Sequence, residues 1–225
     1  MARRVAAVAH RGAPHVAREN TLAAFRAALA AGADAVELDV RLTRDGVPVV
    51  LHDRTLERLW ECPEAVAALS ARELRARTGG GVPTLAEALE LLRPVRVLID
   101  LPAVEAVAAT LAVVAGQGAA GRVYYCGGPA AMRAVRAGDP AAEIALTWQR
   151  TAPMRGSLLD SVRPRWLNYR FGVLDRERVR RAHAAGYLVS AWTVDRPRTM
   201  RRLAAMGVDA LTSNRVAALR RTLPG

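Results

Sequence analysis

The stretch "VELDVRLTRDGVPVVLHD", residues 36–53, reads as a strand, a tight turn and a second extended segment. Asp45-Gly46 marks the turn, because glycine takes the positive φ that short hairpins demand. Residues 36–40 therefore run up and residues 47–52 return. In a strand, residues two apart share a face. Val36, Leu38 and Val40 thus form an apolar face suited to packing under helices, and Glu37 and Asp39 point the other way. Two neighbouring carboxylates resist burial in an ordinary core. The interior mouth of a barrel is a place that can receive them.

Working outward, the chain alternates short Val/Ile/Leu-rich strands with Ala/Arg/Leu helices. Strands are expected at 5–10, 35–40, 95–101, 122–126, 143–148, 166–170, 187–194 and 209–213. Helices are expected near 20–31, 84–92, 103–115, 129–137, 154–162, 175–185, 196–206 and 215–222. Asn20 or Thr21 can cap the first helix and Gly32 can stop it. "TLAE" (84–87) and "SARE" (70–73) have capping-box spacing, and Gly186 and Gly207 close two late helices. Eight strand–helix pairs over 225 residues predict one domain, residues 1–225, folded as a TIM (β/α)8 barrel, with an insertion at 41–82 between the second and third barrel strands. No Gly-x-Gly-x-x-Gly follows the first strand, which argues against a dinucleotide fold.

The formal net charge is +12, and all 33 Lys/Arg residues are arginine. Without lysine, amine-base and Schiff-base chemistry is excluded. The excess suits a phosphate substrate or transient contact with an anionic membrane. The basic runs 176–181 and 196–202 lack interleaved aromatics and read as solvated helix faces, so no nucleic-acid partner is expected. Cys62 and Cys126 form neither a disulfide framework nor a zinc site. The apolar run Val5–Ala9 is too short for a signal-peptide core and reads as the first strand, so a cytoplasmic location is the expectation.

Further chemistry gathers at strand ends. Strand one ends on His10-Arg11-Gly12, the return segment on His52-Asp53, and the third barrel strand on Asp100. In such barrels the C-terminal strand ends form the active face. Hard oxygen ligands at Glu37 and Asp39 suit a divalent metal ion, Mg²⁺ or Ca²⁺, with Asp100 a third carboxylate in the same mouth. Two imidazoles can take and give a proton near neutral pH, and Arg11 can fork onto phosphate oxygens. That combination suits phosphodiester cleavage.

The chain resembles the glycerophosphodiester phosphodiesterase family. The likeness is carried by "HRG" (10–12), "ENT" (19–21), "AVELDVRLTRDGVPVVLHD" (35–53), "VPTLAEAL" (82–89) and "VSAWTVDRPRTMRRLAAMGVDALTSN" (189–214). The resemblance implies a TIM barrel of the phospholipase-C-like phosphodiesterase type, with His10 and His52 as the acid/base pair. It also implies a divalent metal on Glu37 and Asp39, Arg11 on the phosphate, and Trp192 walling the substrate pocket. The implied reaction is hydrolysis of a glycerophosphodiester, a small-molecule substrate, to glycerol 3-phosphate and an alcohol. Glu19 is expected to reach toward the site, Asn20 to cap a helix and shape its loop, and Asp53 to orient a neighbour. Two stretches depart from the family. Asp100 stands where a metal-holding glutamate is usual, with Pro102 in the place of a lysine, and Asn214 stands where an aspartate is usual. Arg170, ahead of Arg150, is expected to supply the cation missing at 102. A lysophospholipase D- or sphingomyelinase D-like enzyme and a non-catalytic phosphate- or phospholipid-binding barrel are the alternative readings.

Overall fold

The computed structural model describes residues 4–223. Among them nine strands form one sheet: β1 (Ala6–His10), β2 (Ala35–Leu42), β3 (Pro48–Val50), β4 (Arg96–Asp100), β5 (Val123–Gly127), β6 (Ile144–Trp148), β7 (Trp166–Arg170), β8 (Leu188–Trp192) and β9 (Ala210–Ser213). The order β1-β9-β8-β7-β6-β5-β4-β2 closes through a β1–β2 pairing, so eight parallel strands make a (β/α)8 barrel. β3 lies antiparallel on the end of β2, with Val40 opposite Val50. The turn between them is the one expected. Gly46 has φ 77°, and its N–H donates to Thr43 O at 3.0 Å.

Parallel strands are covered on both faces, which is why these segments are so apolar. Val36, Leu38 and Val40 pack outward into the layer shared with the helices. Val8, Ala35, Leu98, Tyr124, Cys126, Ala145, Trp166 and Ala210 fill the barrel interior. Leu38 is fully buried, so Leu38→Ala should cost about 2–5 kcal/mol. The segment between β2 and β4 has its own small core of Val49, Leu51, Leu56, Val66, Leu69, Leu74 and Val82.

The helices are α1 (Leu22–Ala30), α2 (Glu57–Trp60), α3 (Ala71–Arg77), α4 (Leu85–Leu91), α5 (Val107–Gly116), α6 (Pro129–Gly138), α7 (Gly156–Val162), α8 (Arg176–Ala184), α9 (Pro197–Ala204) and α10 (Val216–Thr222). Both capping boxes form, at Ser70/Glu73 and Thr84/Glu87. Thr21, rather than Asn20, caps α1, its hydroxyl accepting from Ala24 N–H at 3.2 Å. The expectation of a capping role for Asn20 is corrected by its αL backbone (φ 57°), which turns its side chain toward β2. α5 starts four residues later than expected, behind a 3₁₀ turn at Val104–Ala106. Gly12 has φ 86°, and a Cβ there would lie 2.7–2.8 Å from Ala24, so only glycine lets the loop after β1 lie against α1. No helix of the described residues is long and apolar enough to cross a membrane.

Candidate active site

At the C-terminal end of the barrel, a cavity of about 270 Å³ is lined by His10, Arg11, Glu37, Asp39, His52, Asp100 and Trp192, with Pro102, Cys126, Thr147 and Asn168 among the other wall residues. Strand register sets the first contacts. His10 on β1 lies beside Glu37 on β2, and Asp39 lies beside Asp100 on β4. One oxygen from each of Glu37, Asp39 and Asp100 lies within 4.8 Å of the others. Glu37 and Asp39 are 5% and 1% exposed. Burial, then repulsion from Asp39 and Asp100, pushes the Glu37 carboxyl well above its ordinary range. Burial and Asp39 push Asp100 up to about 7, against a bond from the Cys126 thiol. Three carboxylates in such a space oppose one another's ionisation, and a hard divalent cation relieves that conflict. The residues therefore fit a metal of the Mg²⁺ or Ca²⁺ type.

The cluster is braced from the loop after β1. Arg11 has φ 54°, and its backbone N–H donates to Glu37 Oε2 at 2.9 Å. Its Nη1 donates to Glu19 Oε1 at 2.8 Å, and its Nε lies 3.1 Å from Asp39 Oδ2 without the alignment of a hydrogen bond. Nη2 of Arg11 makes no hydrogen bond among the described residues. Asn20, 1% exposed, donates through Nδ2 to Asp39 Oδ2 at 2.7 Å and ties the loop to β2.

A second brace holds the β3 side. Arg58, on the one-turn α2, donates to Glu19 Oε1 and to Asp53 Oδ2, each at 2.6 Å. Burial opposes ionisation of Glu19, but Arg58 and Arg11 bring its pKa below the usual value. The bond from Arg58, aided by His52, takes Asp53 down to about 2. Asp53 Oδ1 accepts from His52 Nδ1 at 2.6 Å. Arg41 donates through Nε and Nη2 to the His52 carbonyl at 2.9 and 2.6 Å. His52 is therefore held by backbone and ring alike, with Nε2 left for other work.

His10 is held differently. Its Nδ1 is 2.7 Å from Asn214 Oδ1, and its Nε2 is 3.9 Å from Glu37 Oε2. Burial, then the charge of Arg11, lowers its pKa and favours the neutral ring.

Across the mouth the lining is uncharged. Asn168 Nδ2 donates to Thr147 Oγ1 at 3.1 Å, and Ser190 Oγ donates to Asn168 Oδ1 at 2.8 Å. Arg170 stands exposed at the end of β7, four strands from β2 in either direction round the ring, and is outside the cavity wall. Arg150 lies over the Trp148 ring at 5.7 Å. Glu19 stands behind Arg11 rather than in the wall. The sequence reading did not find Arg41, Arg58 or Asp195 as partners of the site. Arg41 carried a usable signal, since it shares the face of Glu37 and Asp39 by strand parity. Arg58 and Asp195 carried none, because arginines are everywhere and a lone loop aspartate is ordinary.

A closed (β/α)8 barrel with this mouth defines a class, the phosphoric diester hydrolases built on a TIM scaffold. The sequence model of the glycerophosphoryl diester phosphodiesterase family matches residues 10–218. A Mycobacterium tuberculosis protein named probable glycerophosphodiester phosphodiesterase 2 is 35% identical over 245 residues, which span 96% of this chain and 90% of that protein. The chain belongs to the glycerophosphoryl diester phosphodiesterase family. The solved glycerophosphodiester phosphodiesterase of Agrobacterium tumefaciens has a TM-score of 0.82 at 25% identity, covering 96% of this chain and 99% of that one. An Oleispira antarctica phosphodiesterase, solved with its product sn-glycerol-3-phosphate, has a TM-score of 0.88 at 24% identity, covering 98% and 97%, a likeness of fold.

Proposed function

We propose that this chain hydrolyses glycerophosphodiesters to glycerol 3-phosphate and an alcohol. The observation that carries this reading is the meeting of two differently held histidines, one arginine with an unengaged Nη2 and three crowded carboxylates in one cavity. Glu37, Asp39 and Asp100 would hold a divalent cation, Mg²⁺ or Ca²⁺. When bound, the ion would screen phosphate charge and polarise an oxygen beside it.

The rest of the work falls to the chain's own side chains. Arg11 Nη2 points a donor at a phosphate oxygen while Nη1 stays tied to Glu19. His10, favoured as the neutral ring, receives a proton at Nε2 from the attacking oxygen. His52 delivers a proton from Nε2 to the leaving alkoxide, and the Asp53 carboxylate at its Nδ1 stabilises the charged ring that does so. Trp192 walls the organic part of the substrate. Arg170 adds a long-range positive potential from the far rim. Arg41, two residues beyond Asp39 on β2, feels the charge of Asp100 while its guanidinium holds the His52 carbonyl.

The purified protein should release glycerol 3-phosphate from glycerophosphocholine. A chelator should stop the release and added Mg²⁺ or Ca²⁺ should restore it. Release undiminished by chelator would remove the metal from the mechanism. Preference for lysophosphatidylcholine over glycerophosphocholine would replace the substrate assignment with a lysolipid one.

A further inference from the structure

The family position usually held by aspartate is Asn214 here, and its surroundings show what the change does. Asn214 opens the loop after β9, and Asp195 lies in the loop after β8. The Asp195 carboxylate collects three donors. Ser213 Oγ and Asn214 backbone N–H reach Oδ1 at 3.0 and 2.9 Å, and Asn214 Nδ2 reaches Oδ2 at 2.8 Å. A primary amide has two orientations of nearly the same shape, and the bonds around it choose between them. An ionised carboxylate has no proton to offer. The amide nitrogen of Asn214 must therefore face Asp195, which turns Oδ1 toward the His10 ring. Oδ1 can only accept, so the 2.7 Å contact requires a proton on His10 Nδ1. In the neutral ring, the lone pair then lies on Nε2, the nitrogen on the side of Glu37.

We propose that Asp195 is a positioning residue that acts through Asn214 to fix the Nδ1–H tautomer of His10, making Nε2 the atom that works on the substrate. The inference rests on the glycerophosphodiesterase reading for its kinetic consequence, while the tautomer itself stands apart from any activity. Asn214 thus leaves the imidazole with an acceptor, as an aspartate would. The negative charge is set one hydrogen bond further from the ring, at Asp195, and the ring is oriented without a carboxylate against it. His52 is oriented by the opposite device, a carboxylate in direct contact.

Asp195→Asn separates orientation from loop structure. Its Oδ1 can still accept from Ser213 Oγ and from the Asn214 backbone N–H, which cannot turn. Its new amide nitrogen, however, faces Asn214 Nδ2, donor against donor. The Asn214 side chain must then turn over and present Nδ2 to His10, and the ring proton moves to Nε2. Asn214→Asp alone sets two carboxylates face to face. The double exchange Asp195→Asn with Asn214→Asp restores one amide, one carboxylate and an acceptor at His10 Nδ1.

The test is long-range ¹H–¹⁵N spectroscopy of the neutral imidazoles, with His10 assigned against His10→Gln, combined with steady-state kinetics on glycerophosphocholine. The wild type should show the Nδ1–H form of His10. Asp195→Asn should shift it to Nε2–H and lower kcat by about 10²-fold, the low end of what a general base contributes, with KM within about threefold. The double exchange should return the Nδ1–H form and bring kcat within about tenfold of wild type. An Nε2–H tautomer in the wild type overturns the proposal. So does an Asp195→Asn protein with unchanged tautomer and kcat, or a double exchange no better than either single change. If Asp195→Asn does not fold, the wild-type tautomer and the double exchange decide the matter. A wild type that shows Nδ1–H yet cleaves no glycerophosphodiester upholds the orientation and sinks the substrate assignment.

Discussion

The two halves of the barrel mouth are built on opposite principles. On β1, β2 and β4 the inward positions near the top are His10, Glu37, Asp39 and Asp100, all ionisable and crowded against one another. On β6, β7 and β8 the facing positions are Thr147, Asn168 and Ser190, all neutral and hydrogen-bonded in a row. These three side chains satisfy one another, and Trp192 Nε1 at the end of β8 is left without a partner among the described residues. The carboxylates of the charged half do not satisfy one another, because burial and mutual repulsion hold Glu37 and Asp100 above their ordinary pKa range. That half draws its supports from the loops, with Arg11, Asn20 and Glu19 from the one after β1 and Arg58 and Asp53 from beyond β3, and from Arg41 at the end of β2. A site that stores electrostatic conflict is poised for a ligand that relieves it, whereas a site already satisfied serves as a wall.

The sharpest way to break the contrast is Glu37→Gln. If the charged half exists to hold a metal, kcat/KM should fall by about 10⁴-fold, equivalent to the several kcal/mol that a metal supplies. Calorimetric titration should show metal binding lost, and the melting temperature of the chelated protein should hold or rise, because one repelling carboxyl is gone. Near-normal turnover would show that the crowding is not functional. The next largest effect is His52→Ala, with kcat lower by about 10²–10³-fold and the fold intact by circular dichroism. A near-normal kcat would assign His52 to structure.

The neutral half should respond in the opposite currency. Asn168→Ala strips partners from the buried Ser190 hydroxyl and the half-buried Thr147 hydroxyl and should cost about 1–3 kcal/mol in urea unfolding, with kcat changed less than about threefold. A large kcat loss with full stability would make this half catalytic and erase the comparison. The smallest effect concerns Asp53, whose pKa of about 2 lies below the ordinary Asp value of about 3.9. A carboxyl held more acidic in the folded state stabilises it above the ordinary pKa, and the benefit fades as pH falls toward about 2. The stability difference between wild type and Asp53→Asn should be full at pH 6 and shrink steadily below about pH 4. A difference independent of pH would mean that Asp53 acts through shape alone.

How much of this was readable beforehand varies with the range of the physics involved. The faces of β2, the Gly46 turn and both capping boxes depend on residues within five positions of each other, and each was legible. The helix start at 107 lies four residues past the expected one because a 3₁₀ turn at 104–106 leads into it, and no apolar period marks such a segment. Asn20 was given a cap because its residue type caps helices well. The αL backbone that redirects it to Asp39 becomes visible in the folded loop.

By itself, the sequence determined the alternating strands and helices, the acidic face of β2, and the strand ends that carry His10, His52 and Asp100. Those follow from period-two and period-3.6 patterns, which are local properties of the chain. The tertiary structure alone decided how His10 is oriented and what braces the His52–Asp53 pair. Asn214 reaches His10 across 204 positions, and Arg58 reaches Glu19 across 39. Such partners meet only when the barrel closes and its loops converge, and with 33 arginines in the chain, residue type could not say which would arrive.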